Sequence, residues 1–140
     1  MEISDGYYTL KGYAQLSDTC MTSAMEDYLE MIARIGADNS SVHVVDLAKL
    51  LHVKASSVTK MIRQLVNAGL VDSQKYSAIV LTEKGKEMGD YLLHRHEILH
   101  RFLCILNDSD DELEQVEKIE HFIDKRTIKN LESLIQRLQI

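Results

Sequence analysis

Three groups of side chains in this 140-residue sequence have the types and spacings of metal ligands. Asp27 and Glu30 stand at i and i+3. His96 and His100 stand at i and i+4 within His94-Arg95-His96-Glu97-Ile98-Leu99-His100. Glu117 precedes Glu120 and His121 by three and four positions. On a helix, residues three or four apart share a face, so each group can present its donors on one side. Together they make an oxygen/nitrogen set without thiolate, since Cys20 and Cys104 have no metal-knuckle spacing. Such a set suits Mn(II) or Fe(II) better than a structural zinc. The stretch His96 to His100 also matches H-E-x-x-H, two zinc-binding histidines with a glutamate base, so a zinc protease is an alternative. That chemistry needs a third ligand and a substrate cleft. Each group also has a plainer reading: carboxylates that complement a helix dipole, partly exposed histidines, or a solvated acidic face.

The elements that must carry these groups follow from apolar periodicity. Met25, Tyr28, Leu29, Ile32 and Ile35 recur at helical spacing, with Thr22 or Ser23 as N-cap and Gly36 ending the run. Val44 to Leu51 makes a short helix. After a turn, Ser56 to Gly69 makes a second, with Val58, Met61, Ile62, Leu65 and Val66 on one face and Gly69 as C-cap. Two short helices joined by a tight turn are a helix-turn-helix. Val71 to Leu81 reads as a two-stranded hairpin, a wing, with Asp72 to Ser77 at its tip. Thr82 caps a long helix from Glu83 to about Leu106. The expected fold is mainly α with a small β-hairpin: an arm over residues 1–20, a winged helix-turn-helix over 21–90, and a helical domain over 91–140.

In a winged helix-turn-helix the second helix enters the major groove, its N-terminal residues toward the base edges. Lys54, Ser56, Ser57, Thr59, Lys60 and Arg63 occupy that region, and Lys75 and Tyr76 sit at the wing tip. Lysines and short hydroxyls suit phosphate contacts and a few base contacts. The formal net charge of −6 conceals an uneven distribution: residues 49–86 carry a net positive charge between acidic flanks. A basic middle matches a nucleic-acid footprint on one face. A winged helix used only for protein contacts, or a metal-independent regulator sensing an organic ligand, remains open from these features.

The ordered motifs resemble the diphtheria-toxin-repressor family. They are Ser23-Ala24-Met25-Glu26-Asp27-Tyr28-Leu29-Glu30, Ala55-Ser56-Ser57-Val58-Thr59-Lys60-Met61, Lys75-Tyr76, Leu81-Thr82-Glu83-Lys84-Gly85-Lys86, His96-Glu97 and Val116-Glu117-Lys118-Ile119-Glu120-His121. The resemblance runs from about Ser23 onward and is nearest to the manganese-responsive branch. It implies a homodimeric repressor that binds double-stranded operator DNA at metal-uptake genes when loaded with metal. Residues 91–140 would then be the metal-binding and dimerisation domain. It places the ligands on Asp27, Glu30, His96, Glu117, Glu120 and His121, with two Mn(II) ions per subunit linked by bridging carboxylates. The iron branch has methionine and cysteine where Asp27 and Glu117 stand, so hard oxygen donors at both positions favour Mn(II). Fe(II), Zn(II) or Co(II) are expected substitutes in vitro, by the Irving–Williams order. Ala55 replaces the family's proline, and His100 replaces an acidic residue, offering an extra ligand or a shifted metal preference.

Apolar stripes that include Leu99, Phe102, Leu103, Leu131, Leu134, Ile135 and Leu138 serve a core or a dimer interface. No apolar run approaches the ~18 residues of a membrane span. The start of the sequence lacks a signal-peptide pattern, so the expected compartment is the cytoplasm.

Overall fold

The computed structural model describes residues 21–37, 42–73 and 78–139. Helix α1 (Ser23–Gly36) starts where the Thr22 hydroxyl accepts a hydrogen bond from the Met25 amide, 3.1 Å. Its buried face is Met25, Tyr28, Leu29, Ile32 and Ala33, as the spacing requires, with Glu30 buried among them. The helix-turn-helix comprises α2 (Val44–Leu50) and α3 (Ala55–Asn67). Between them His52 takes a left-handed conformation (φ 56°), and the Val53 amide bonds to the Ala48 carbonyl at 3.0 Å. Histidine tolerates that region better than a β-branched residue would.

Helix α3 ends in a Schellman motif. Gly69 is left-handed (φ 76°), the Gly69 and Leu70 amides bond to the Val66 and Leu65 carbonyls, and buried Leu65 and Leu70 belong to the same core. The wing strands β1 (Val71–Asp72) and β2 (Val80–Leu81) pair antiparallel, Val71 opposite Leu81. Val42 adds a bridge to Ile79, whose amide reaches the Val42 carbonyl at 2.7 Å. This third rung joins the residues that lead into α2 to the wing.

Helix α4 (Glu83–Asn107) is capped by Thr82, whose hydroxyl accepts from the Gly85 amide (3.0 Å) and donates to the Gly69 carbonyl (2.7 Å). One hydroxyl thus ties the end of α3 to the start of α4. Where α4 crosses α1, a Cβ at Gly89 would lie 2.8 Å from the Ala33 Cβ, so glycine permits the close approach. Helix α5 (Leu113–Ile119), a 3-10 turn (Glu120–Phe122) and α6 (Lys125–Leu138) complete the described chain.

Two hydrophobic cores form. The first gathers α1, α2, α3, the wing and Leu92 of α4; the second gathers Ile98, Leu99 and Leu103 of α4 with Val116, Ile128 and Ile135. Leu99, Leu103 and Ile135 are therefore buried within the protomer, whereas Leu138 is exposed. Between Leu92 and Ile98, α4 places Arg95 and His96, and there lie the buried polar residues Glu30, Arg95 and Glu120. No helix among the described residues is long and apolar enough to cross a membrane.

Candidate metal centre

The polar layer between the cores collects side chains from α1, α4, α5 and the 3-10 turn. Two groups have donor atoms within 4.8 Å of one another: Glu30, His96, Glu117 and Glu120, and Asp27, Glu120 and His121. All six positions named from the sequence are brought together, but not in the pairs their spacing suggested. Asp27 and Glu30 go to different groups, as do Glu117 and His121, and Glu120 belongs to both. The cause is local: α5 stops at Ile119, and the tighter 3-10 turn carries Glu120 inward while Glu117 stays 56% exposed.

His96 Nδ1 lies 2.8 Å from Glu120 Oε2, 3.7 Å from a Glu117 oxygen and 3.9 Å from a Glu30 oxygen. His121 Nε2 is 2.9 Å from Asp27 Oδ1. Burial pushes Glu30 up to about 7, reinforced by the Glu120 charge. Burial likewise raises Asp27 and Glu117, with the Glu120 charge adding to each. Burial also works to raise Glu120, but its hydrogen bond with His96 and the surrounding positive groups prevail and hold it below the usual range. His96 is raised, chiefly by that hydrogen bond. The fully buried Glu120 keeps one oxygen, Oε1, without a hydrogen-bond partner among the described residues. A buried acceptor left unpaired is costly, and a cation between the two groups would satisfy it. Carboxylates and imidazoles without thiolate fit a hard divalent ion.

His100 joins neither group. Its Nε2 accepts from the Glu112 backbone amide at 3.1 Å and lies 3.5 Å from Cys104 Sγ. His100 thus sits outside both groups, with its ring nitrogen engaged at the start of α5. The H-E-x-x-H pair is split in the same way.

Sequence reasoning missed Glu26 and Arg95. Arg95 contacts Glu26 through NH2 at 3.1 Å and NH1 at 3.5 Å, and Glu26 Oε1 lies 2.8 Å from His121 Nδ1. The available signal was an arginine on the apolar face of α4, one turn from both Leu92 and Leu99. A charge there needs a partner.

Lys54, Ser56, Ser57, Thr59, Lys60 and Arg63 are all exposed, on α3 and its N-cap, opposite buried Val58, Ile62 and Leu65. Lys75 and Tyr76 lie outside the described residues.

A winged helix-turn-helix joined through a carboxylate–imidazole cluster to a helical domain defines a class of DNA-binding regulators gated by metal. Residues 20–79 match the family described as iron dependent repressor, N-terminal DNA binding domain. Residues 82–140 match its metal binding and dimerisation domain. The chain is 38% identical over 116 residues to the HTH-type transcriptional regulator MntR of Bacillus subtilis strain 168, covering 82% of each chain. It is 37% identical over 119 residues to that of Geobacillus thermodenitrificans, covering 84% of each. The solved structure of the manganese regulator SloR superposes with a TM-score of 0.70 at 25% identity, covering 83% of this chain. That of the metal-dependent transcriptional regulator MtsR gives 0.72 at 25%, again covering 83%. The chain spans only 55% of each of those two solved chains. The chain belongs to the iron-dependent repressor family: it is a metal-dependent, DNA-binding transcriptional repressor and not an enzyme.

Proposed function

We propose that this repressor is activated by Mn(II), held as two ions per subunit by Asp27, Glu30, His96, Glu117, Glu120 and His121, and that it silences metal-uptake genes as a cytoplasmic homodimer. The observation that carries the reading is Glu120: buried, shared by both donor groups, with one oxygen unpaired among the described residues. Glu120, common to the Glu30/His96/Glu117 and Asp27/His121 groups, would help to hold both ions. A bound divalent ion supplies the positive charge that offsets the mutual repulsion of these carboxylates.

Asp27 and Glu30 belong to α1 of the DNA-binding unit, whereas the other four belong to α4, α5 and the turn that follows. Shared ligation across this joint restricts motion between the two units and holds paired recognition helices at the operator's half-site spacing. Lys54, Ser56, Ser57, Thr59, Lys60 and Arg63 then meet the major groove and its phosphates, and Lys75 and Tyr76, outside the described residues, join them in this reading. Exposed Ile105, Leu106, Leu113, Phe122 and Leu138 on the helical domain support its pairing with a second copy.

The test is a gel-shift titration on the promoter of a neighbouring metal transporter, with chelator, Mn(II), Fe(II) and Zn(II) in parallel. Metal-dependent binding that is lost in Asp27→Ala and His96→Ala is the expected result. Equal binding in chelator would remove the metal switch and leave a metal-independent winged-helix regulator.

A further inference from the structure

We propose that Arg95 and Glu26 are positioning residues of the metal centre, fixing which His121 nitrogen carries the proton and so presenting Nε2 to the Asp27/Glu120 group. The inference rests on the ligand assignment above. Arg95 is 4% exposed and grips Glu26 with two nitrogens, 3.1 and 3.5 Å away. The Glu26 oxygen it holds most closely is also 2.8 Å from His121 Nδ1. The opposite ring nitrogen, Nε2, is 2.9 Å from Asp27 Oδ1.

An ionised carboxylate can only accept hydrogen bonds. At these distances each ring nitrogen needs a proton between it and its carboxylate, Nδ1 toward Glu26 and Nε2 toward Asp27; a cation held by Asp27 and Glu120 would take the place of the Nε2 proton, while Glu26 would keep the one on Nδ1. In the neutral ring Nε2 is then the free donor atom. Histidine ligands are commonly oriented in this way, the second ring nitrogen donating to a carboxylate. Arg95 in turn fixes Glu26. Its NH2 also lies 3.5 Å from Nδ1, at the limit of hydrogen-bond reach, so Glu26 at 2.8 Å is the nearer partner of that nitrogen. The guanidinium faces the Tyr91 ring at 5.9 Å, and among the described residues its buried Nε has no partner and Glu26 accepts from both NH1 and NH2.

The competing reading is a clamp between α1 and α4 with no bearing on the ring. The full chain, labelled with ¹⁵N-histidine, separates the two. In chelator, at a pH where the ring is neutral, His121 of the parent should show the Nδ1–H tautomer. Glu26→Gln keeps the shape but lets an amide donate to Nδ1. It should populate the other tautomer and weaken one of the two Mn(II) binding steps by about 10–100-fold, with the other step and the metal-free melting temperature close to the parent's. Arg95→Lys keeps the charge but loses the two-nitrogen grip; it should give an intermediate loss, and it serves as the test if Glu26→Gln does not fold. A variant that lowers the melting temperature while leaving tautomer and both binding steps unchanged would make the pair a clamp and overturn the inference. A parent that binds no Mn(II) would instead overturn the ligand assignment.

Discussion

Glu120 and Glu117 are three positions apart, yet their environments assign them different weights. Glu120 is inaccessible and common to both donor groups; Glu117 is more than half exposed and belongs to one. We predict that Glu120→Ala abolishes tight Mn(II) binding, whereas Glu117→Ala lowers the stoichiometry from two ions to one. Metal content after desalting, read beside calorimetry, checks this; equal losses in the two variants would contradict the shared role of Glu120. The titration behaviour of the cluster gives a second prediction. Glu30, raised from 4.5 to about 7, contributes stability to the metal-free fold that is full below 4.5 and lost as pH rises through 7. Raised Asp27, Glu117 and His96 act in the same direction. Glu120, held low, contributes only above 4.5 and loses its share as pH falls through its folded value. The metal-free protein should therefore melt highest near about pH 5 and lower at pH 8, while Mn(II) affinity rises over that range because ions displace protons. A metal-free melting temperature that climbs from pH 5 to 8 would contradict the assignment. The candidate ligand groups were legible from residue type and helical spacing, and the choice of six positions came from the family resemblance. Their division in the fold was not legible, because a switch from α to 3-10 geometry at Glu120 leaves no periodic trace, and Glu26–Arg95 joins residues 69 apart.

Helix α1 carries Asp27 and Glu30, and α4 carries His96, so the crossing of these helices sets the width of the site. Gly89 at that crossing tests the dependence. Alanine there gains about 0.5–1 kcal/mol of helix propensity. Its Cβ, however, would stand 2.8 Å from that of Ala33, well inside the ~3.5 Å at which carbon atoms attract. The methyl is too short to turn aside, so the helices must part. We predict that Gly89→Ala changes metal-free stability by no more than about 1–3 kcal/mol, because the two terms oppose, yet weakens Mn(II) binding several-fold. Unchanged affinity would mean that the site tolerates a wider crossing. The helices themselves were readable because their signals are local: Thr22 and Thr82 as caps, Gly69 as the left-handed terminator, and apolar faces at the helical period. The bridge from Val42 to Ile79 was not, since one paired residue has no period to detect. The apolar stripes on α4 and α6 left core and dimer interface open, and the second core takes Leu99, Leu103 and Ile135 within one protomer.

Because α4 contributes Leu92 to one core and Ile98, Leu99 and Leu103 to the other, it runs unbroken past the metal layer. Each core closes on its own apolar residues, and the groups that join them at the layer are charged or polar, so the joint is where the two units can shift. A ligand that favours one arrangement of the joint and an operator that favours the same arrangement must reinforce each other equally. Whatever factor Mn(II) adds to operator affinity, operator adds to Mn(II) affinity. Couplings of this kind run to about 5–150-fold, large enough to read directly in a metal titration with and without operator DNA. We predict a shift within that range for the parent. In Asp27→Ala/Glu30→Ala, which removes only the ligands of α1, it should vanish while His96, Glu117, Glu120 and His121 still retain some metal. That residual binding makes the experiment decisive. If the double variant still transmits the full shift, metal acts on the helical domain or its pairing alone. If the parent shows no shift while binding both ligands, the two units are already fixed and metal has another task. A shift that disappears with the α1 carboxylates would locate the switch in the ligation that spans the two cores.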